Sequence, residues 1–188
     1  MIERSEIEAV SNQLGIHTSH VQRDYVFGWL LSLLYSSSPL GKKLVLKGGN
    51  CLRKAYFESG RYSRDLDFST SVSIPDSELG LELNAICLAL NESTGIKFET
   101  EKTRVGEKKG ADDDKRVSEA RLYFHDFYGQ ESELVLGIRL DVTQFTRLYL
   151  PVQERFLIHP YSDKEACSGL IQCVKLEELL TLLKKAEL

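Results

Sequence analysis

The sequence lacks any apolar run long enough to cross a membrane, and it lacks an apolar segment at its N-terminus. A transmembrane helix needs roughly 18 or more consecutive apolar residues, and no stretch of the 188 residues approaches that length. The first six residues are largely polar and acidic, unlike the apolar core of a secretory signal. We therefore expect a cytoplasmic protein.

Metal-binding and nucleophile patterns of cysteine and histidine are also missing. The four cysteines include no Cys-x-x-Cys pair, and the four histidines include no His-x-x-x-His pair. This excludes the common zinc-site spacings and favours reduced, buried thiols. No Ser/His/Asp or Cys/His arrangement stands out, and no Gly-Lys-Ser/Thr sequence indicates a Walker A loop.

An excess of positive charge is absent as well. The chain has 24 Lys and Arg against 28 Asp and Glu, a net charge of −4. This excludes a globally basic nucleic-acid binder but leaves room for a local basic patch. With 42% hydrophobic residues, the chain can bury the core of one α/β domain.

Hydrophobic periodicity divides the chain into helices and strands. The segment 104–116 is rich in charge and glycine, and it predicts a hairpin loop. We expect helices in the first 40 residues and at about 50–57, 75–91 and 175–188, and strands at 44–46, 65–68, 97–103, 118–124, 133–143 and 152–158.

The Asp-x-Asp pair is the most informative feature. On an extended strand Asp65 and Asp67 project to the same side, about 7 Å apart. Such a pair is typical of a site for Mg²⁺, which binds through one or two carboxylates together with substrate phosphates. Two alternatives remain: the nucleophile motif of haloacid-dehalogenase-type phosphatases, which normally follows an apolar strand, and a solvated acid pair offset by Arg61 and Arg64.

A glycine pair lies upstream of these carboxylates. Gly48 and Gly49 follow a short strand and precede a helix, so their backbone could closely approach a phosphate. Lys47 is either a further phosphate ligand or a strand-end lysine. Ser63 and Arg64 directly precede the carboxylates and could also hold nucleotide phosphates, although Arg64 could instead form an ion pair with those carboxylates.

A third acid is Asp141, on the strand predicted at 133–143. Alternation along this strand places Asp141 on its polar face together with Arg139. If this strand lies beside the Asp-x-Asp strand, three carboxylates converge on one or two metal ions. That arrangement supports phosphoryl or nucleotidyl transfer. The alternative is that Asp141 caps a turn or pairs with Arg139.

Several segments together resemble a known family. Residues 44–55 and 62–68 closely resemble the central motif of the AbiEii/AbiGii-type nucleotidyltransferases, which include toxins of abortive-infection and toxin–antitoxin systems. Residues 21–31 look like the N-terminal helix of that family, and residues 139–142 like its third-carboxylate strand. Residues 174–180 look like the start of a later helix that brings a lysine into the site.

The resemblance implies an α+β fold of the polymerase-β-like nucleotidyltransferase type, with a mixed sheet flanked by helices. It also implies an Mg²⁺-dependent transferase that uses a nucleoside triphosphate. Under this interpretation the residues fall into three groups: metal ligands Asp65 and Asp67; Asp141, which completes the metal site; and Gly48, Gly49, Ser63 and Arg64, which hold the triphosphate. The family lysine corresponds to Lys184 or Lys185, which could alternatively be favourable charges at a helix C-terminus.

The expected organisation is one domain, 1–188, with N-terminal helices (1–40), a catalytic core (41–160) and a C-terminal helix (175–188). Family members transfer nucleotides to RNA, notably tRNA ends, and pair with an antitoxin protein. RNA is the preferred acceptor here because the basic residues Arg53, Lys54, Arg61 and Arg64 border the predicted site. The family normally continues with a further helical region, so we expect a fragment or a short member. The alternative function is a nucleotide- or RNA-binding module, or an antitoxin-bound partner, without turnover.

Overall fold

The computed structural model describes residues 1–108, 116–128 and 135–186, with side chains up to residue 182. Two tight turns, Pro39–Lys42 and Thr100–Lys102, and a π-helical turn, Leu52–Tyr56, supplement the regular elements. The helices are α1 (Arg4–Leu14), α2 (Thr18–Ser37), α3 (Gly48–Cys51), α4 (Asp76–Thr94) and α5 (Leu176–Ala186). The strands are β1 (Val45–Lys47), β2 (Asp65–Ser69), β3 (Arg104–Lys108), β4 (Val117–His125), β5 (Val135–Thr143), β6 (Gln153–Phe156) and β7 (Leu170–Cys173).

The described strands form one mixed sheet in the order β3-β4-β5-β2-β1-β7-β6. The β2–β5 and β1–β7 pairs are parallel, and the other neighbouring strands are antiparallel. The predicted fold class, a mixed sheet flanked by helices, is confirmed. The strand that carries the Asp-x-Asp pair, β2, lies at the centre, so both of its edges are hydrogen-bonded to other strands.

Helices α2 and α4 cover one face of the sheet. Burial alternates along β4 and β5, because successive side chains on a strand point to opposite faces. On β2 the buried side chains Leu66 and Phe68 point into this core. Asp65 and Asp67 alternate with these residues and are only partly buried, so the carboxylates belong to the opposite, more open face.

Helix α2 forms the centre of the core, since it is buried around most of its circumference. Its N-cap is His17, whose ring nitrogen accepts a hydrogen bond from the Ser19 amide. Pro39 follows its C-terminus and starts the next turn. The predicted helical character of the first 40 residues is therefore confirmed.

Three segments differ from the prediction. The strand expected at 97–103 is an isolated bridge at Phe98 followed by a tight turn, and the strand forms instead at Arg104–Lys108, where a loop was expected. Residues 109–115 of that loop lie outside the described residues. The structure adds β7 between β1 and β6, and the helix after β1 begins at Gly48 rather than at about Asn50. The division into one domain stays a prediction.

Within the described part of the chain, no helix is both long enough and apolar enough to cross a membrane.

Candidate active site

Strand register brings the three predicted carboxylates together on the open face. Asp67 on β2 stands opposite Lys47 on β1 and opposite Asp141 on β5. Neighbouring strands are about 4.8 Å apart, and side chains at paired positions point to the same face. Asp65, two residues before Asp67, stands opposite Arg139. The sheet thus positions Lys47 and all three acids in one group.

Asp67 is the acid in the least favourable environment of this group. Its burial, together with the neighbouring negative charges of Asp141 and Asp65, raises its pKa to about 6, although Lys47 and Arg139 act in the opposite direction. A carboxylate that is destabilised by other carboxylates gains from a cation placed among them. The charged form of Asp67 therefore gains from additional positive charge beside it.

Two basic side chains already contact the other carboxylates. Arg139 forms an ion pair with Asp65, and its Nε lies 4.0 Å from the Asp141 Oδ1 atom. Lys108 on β3 donates a hydrogen bond of 3.1 Å to the Asp141 Oδ2 atom. The alternative pairing of Asp141 with Arg139 is thus partly present, whereas Asp65 pairs with Arg139 and not with Arg64. As these side chains stand, the described residues contain no group of three or more potential metal ligands.

The glycine pair is packed directly against this group. A Cβ atom at Gly48 would lie 2.2 Å from the Asp67 Oδ2 atom, and Gly48 adopts φ +71°, a left-handed conformation that favours glycine. A Cβ atom at Gly49 would lie 3.1 Å from the Ser63 Oγ atom. The Lys47 Nζ donates a hydrogen bond of 2.9 Å to the Thr143 Oγ1 atom. The backbone therefore passes close to the carboxylates, with no side chain in between.

The two remaining predicted residues are placed differently. Arg64 is exposed and lines a cavity beside Asp65 together with residues from α2, β4 and β5. The side chain of Lys184 lies outside the described residues, so its predicted role in nucleotide binding stays a prediction. The structure thus groups Lys47, Gly48, Gly49, Ser63, Asp65, Asp67 and Asp141, with Arg64 at one side.

A buried charge cluster supports the loop that leads into β2, and it corrects one prediction. Arg53 and Lys54 do not border the site as RNA contacts, because both are buried and pair with Asp24 of α2 at 2.7 and 2.9 Å. Burial alone would raise the pKa of Asp24, but the charges of Lys54 and Arg53 hold it below its ordinary value. Tyr161 donates a further hydrogen bond to this carboxylate.

Arg53 also organises the residues that precede the Asp-x-Asp pair. Its Nη1 atom donates hydrogen bonds of 2.7 and 2.8 Å to the carbonyl oxygens of Glu58 and Gly60, and its guanidinium stacks on the Tyr62 ring at 3.8 Å. The sequence did not predict this cluster. A charged residue in a helix that is apolar nearly all round was the available signal, since a buried charge requires a partner.

Comparison with known protein families gives one match. Residues 29–182 match the family described as nucleotidyl transferase AbiEii toxin, type IV toxin–antitoxin system. The chain belongs to this family. The match includes the glycine pair, the Asp-x-Asp strand and Asp141, so the sequence-based resemblance is confirmed over most of the chain. No curated protein sequence matches the chain.

A solved structure shares the fold of this AbiEii chain. It is that of MenT4, a nucleotidyltransferase toxin from Mycobacterium tuberculosis H37Rv, with a TM-score of 0.56 and 22% sequence identity. The alignment covers 94% of the present chain and 56% of MenT4. The AbiEii chain therefore spans little more than half the length of this neighbour, and the likeness concerns the fold.

Proposed function

We propose that this AbiEii-family protein is an Mg²⁺-dependent nucleotidyltransferase that moves a nucleoside monophosphate from a nucleoside triphosphate to a hydroxyl group of RNA, with tRNA as the expected substrate. The observation that carries the proposal is the pairing of Asp67 with Asp141 on neighbouring parallel strands, with Asp65 two residues away on the same face. Three carboxylates so placed, beside a bare glycine turn, suit the handling of a metal-bound triphosphate.

The carboxylate group fits a divalent cation by its donors and its charge. Hard cations prefer carboxylate oxygens, and the buried Asp141 Oδ1 atom has no hydrogen-bond partner among the described residues. Asp65, Asp67 and Asp141 would hold the ion once Arg139 and Lys108 release their carboxylates. When bound, Mg²⁺ supplies positive charge that stabilises the phosphate oxygens during transfer.

The glycine turn and its neighbours suit the triphosphate. The backbone of Gly48 and Gly49 carries no side chain that would keep a phosphate away, the Ser63 hydroxyl lies beside Gly49, and Lys47 stands opposite Asp67 on the neighbouring strand. In the proposed reaction the acceptor hydroxyl oxygen forms a bond to the α-phosphorus, and the bond to pyrophosphate breaks. Asp141 orients this hydroxyl and accepts its proton.

Family membership supports two further parts of the proposal. The matched family is described as the toxin of a type IV toxin–antitoxin system, so we propose an antitoxin partner. We also propose a role in abortive infection and a cytoplasmic location, where nucleoside triphosphates and RNA are present. Of the basic residues predicted to contact RNA, the exposed Arg61 and Arg64 remain available.

The test is transfer of label from each α-³²P nucleoside triphosphate to total RNA in the presence of Mg²⁺. The D65N/D141N variant should lose label incorporation by at least a hundredfold while keeping its fold by circular dichroism. The control is E165Q, which removes an exposed acid outside the site and should keep wild-type activity. Retained transfer in D65N/D141N would overturn the assignment. Triphosphate binding by calorimetry without any transfer would instead favour a binding module that lacks turnover.

A further inference from the structure

An arginine-lined cavity opens beside the carboxylate group. It has a volume of about 480 Å³ and is lined by residues from the start of α2, the start of β2 and the facing parts of β4 and β5. It shares Asp65 with the proposed metal site but does not include Gly48, Gly49 or Asp67. The cavity is therefore next to the triphosphate turn without being part of it.

The cavity is strongly basic. Asp65 is the one acid among its described lining residues. The basic residues that line it are four arginines and one histidine: Arg23, Arg64, Arg121, Arg139 and His20. Arg139 is neutralised by Asp65, and Arg121 by Glu119 at 2.6 Å. Arg64 has no ion pair among the described residues, and Arg23 donates its hydrogen bonds to backbone carbonyl oxygens.

The charges of Arg23 and Arg64 act on each other and on His20. Burial, followed by the charges of Arg23, Arg64 and His17, lowers the pKa of His20. Burial and the charge of Arg64 likewise lower the pKa of Arg23, while the charge of Asp65 acts in the opposite direction. Two guanidinium groups at a cavity wall, neither of them in an ion pair within the described residues, are suited to an anion, and guanidinium groups bind phosphate oxygens bidentately.

One wall of the cavity also offers an aromatic surface above a glycine. Tyr123 on β4 stands opposite Gly137 on β5, and a Cβ atom at Gly137 would lie 3.6 Å from the Tyr123 ring. Gly137 shares the face of Arg139 and Asp141, so a longer side chain there would occupy the cavity. An aromatic ring beside basic groups is the usual combination for single-stranded nucleic acid.

We propose that this cavity binds the single-stranded 3′ end of the acceptor RNA, with a backbone phosphate held by Arg23 and Arg64 and a base against Tyr123. The proposal rests on the proposed function, because it places the acceptor next to Asp65 and Asp141. A volume of about 480 Å³ accommodates about one nucleotide. The turn at Gly48, where the triphosphate is proposed to bind, lies outside this cavity.

The test is fluorescence anisotropy with a labelled 12-nucleotide RNA that has a free 3′ hydroxyl, in the absence of triphosphate and Mg²⁺. Under these conditions no transfer occurs, so binding is measured independently of catalysis. R23Q and R64Q should each weaken binding about fivefold, and each should reduce the slope of log Kd against log salt by about 0.7, the value for one phosphate contact on a single strand. The control R147Q removes an exposed arginine outside the cavity and should bind RNA like the wild type.

A second variant tests the cavity without removing charge. G137L fills its floor with an apolar side chain and should weaken RNA binding at least as much as R64Q. Circular dichroism and a melting curve establish that each variant is folded. Wild-type RNA affinity in both R64Q and G137L would overturn the proposal. A second result would also overturn it: metal-free ATP displaces the RNA from the wild type but not from R64Q. The cavity would then be a triphosphate site. RNA binding of the expected pattern with no label transfer would contradict the proposed function alone.

Discussion

Replacing Asp67 by Asn should make the metal-free protein more stable at alkaline pH. The pKa of Asp67 is raised from an ordinary 3.8 to about 6 by burial and by its acidic neighbours. The folded state therefore binds this proton more tightly than the unfolded state does. Stability is then lost as the pH rises from about 4 through 6, because the folded protein must hold an unfavourable negative charge.

The size of the effect follows from the pKa. A change from 3.8 to about 6 corresponds to about 3 kcal/mol between the two charge states. D67N removes this charge, so at pH 8 it should raise the free energy of unfolding by up to about 3 kcal/mol. For a chain of this length that is a rise in Tm of about 6–12 °C. At pH 4 the wild-type carboxyl group is protonated, and the two proteins should differ little.

The assay is thermal and urea unfolding of both proteins at pH 4 and pH 8, in EDTA and then in 10 mM Mg²⁺. Added Mg²⁺ should stabilise the wild type more than D67N, because the ion binds the folded state through the ionised carboxylate. The control E165Q removes an exposed acid and should stay within about 0.5 kcal/mol of the wild type. The reasoning would be refuted if D67N were no more stable than the wild type at pH 8. It would also be refuted if D67N exceeded the wild type in stability by the same amount at pH 4 and pH 8.

Two further substitutions test the glycine turn and the buried charge cluster. G48A should abolish nucleotide transfer, because its Cβ atom would displace the Asp67 carboxylate. The control is G95A, at a glycine with φ +78° and open space around it, which should lose about 1–2 kcal/mol of stability yet retain activity. Equal activity of the two variants would contradict this account. D24N should lower the free energy of unfolding in urea by about 3–5 kcal/mol, because two buried cations lose their partner. The control E8Q breaks an exposed ion pair and should change the free energy of unfolding by less than about 0.5 kcal/mol. A loss below 1 kcal/mol in D24N would show that the cluster is not a structural support.

Local periodicity was sufficient to find the three acids. Asp65 and Asp67 were assigned to one face by the two-residue repeat of a strand, and the alternation of β5 assigned Asp141 to its polar face. The distance of Asp141 from this pair could not be predicted, since it depends on which strands become neighbours. The parallel pairing of β2 with β5 joins positions 74 residues apart, as in Asp67 and Asp141, and no local pattern records that choice.

The errors have the same physical origin. Strand β3 is largely exposed and carries almost no apolar residues, so its sequence resembles a loop, and its strand conformation comes from pairing with β4. The four residues of β7 are stabilised between β1 and β6. The burial of Asp24 was missed because its partners, Arg53 and Lys54, are about 30 positions away along the chain. Tertiary contacts determine each of these outcomes.

The central position of β2 has a consequence for how the protein becomes competent. The carboxylates of β2 come opposite Arg139 and Asp141 only when β5 has paired with β2. On the other side of β2, β1 pairs in turn with β7, whose residues lie near position 170. Contacts of such high sequence separation form late and slowly during folding. While the ribosome is still synthesising the chain, the nascent protein contains Asp65 and Asp67 but lacks Asp141, the third acid of the site, until residue 141 emerges. If the proposed function holds, a nascent chain that ends before residue 141 would therefore lack one of the three carboxylates of the site.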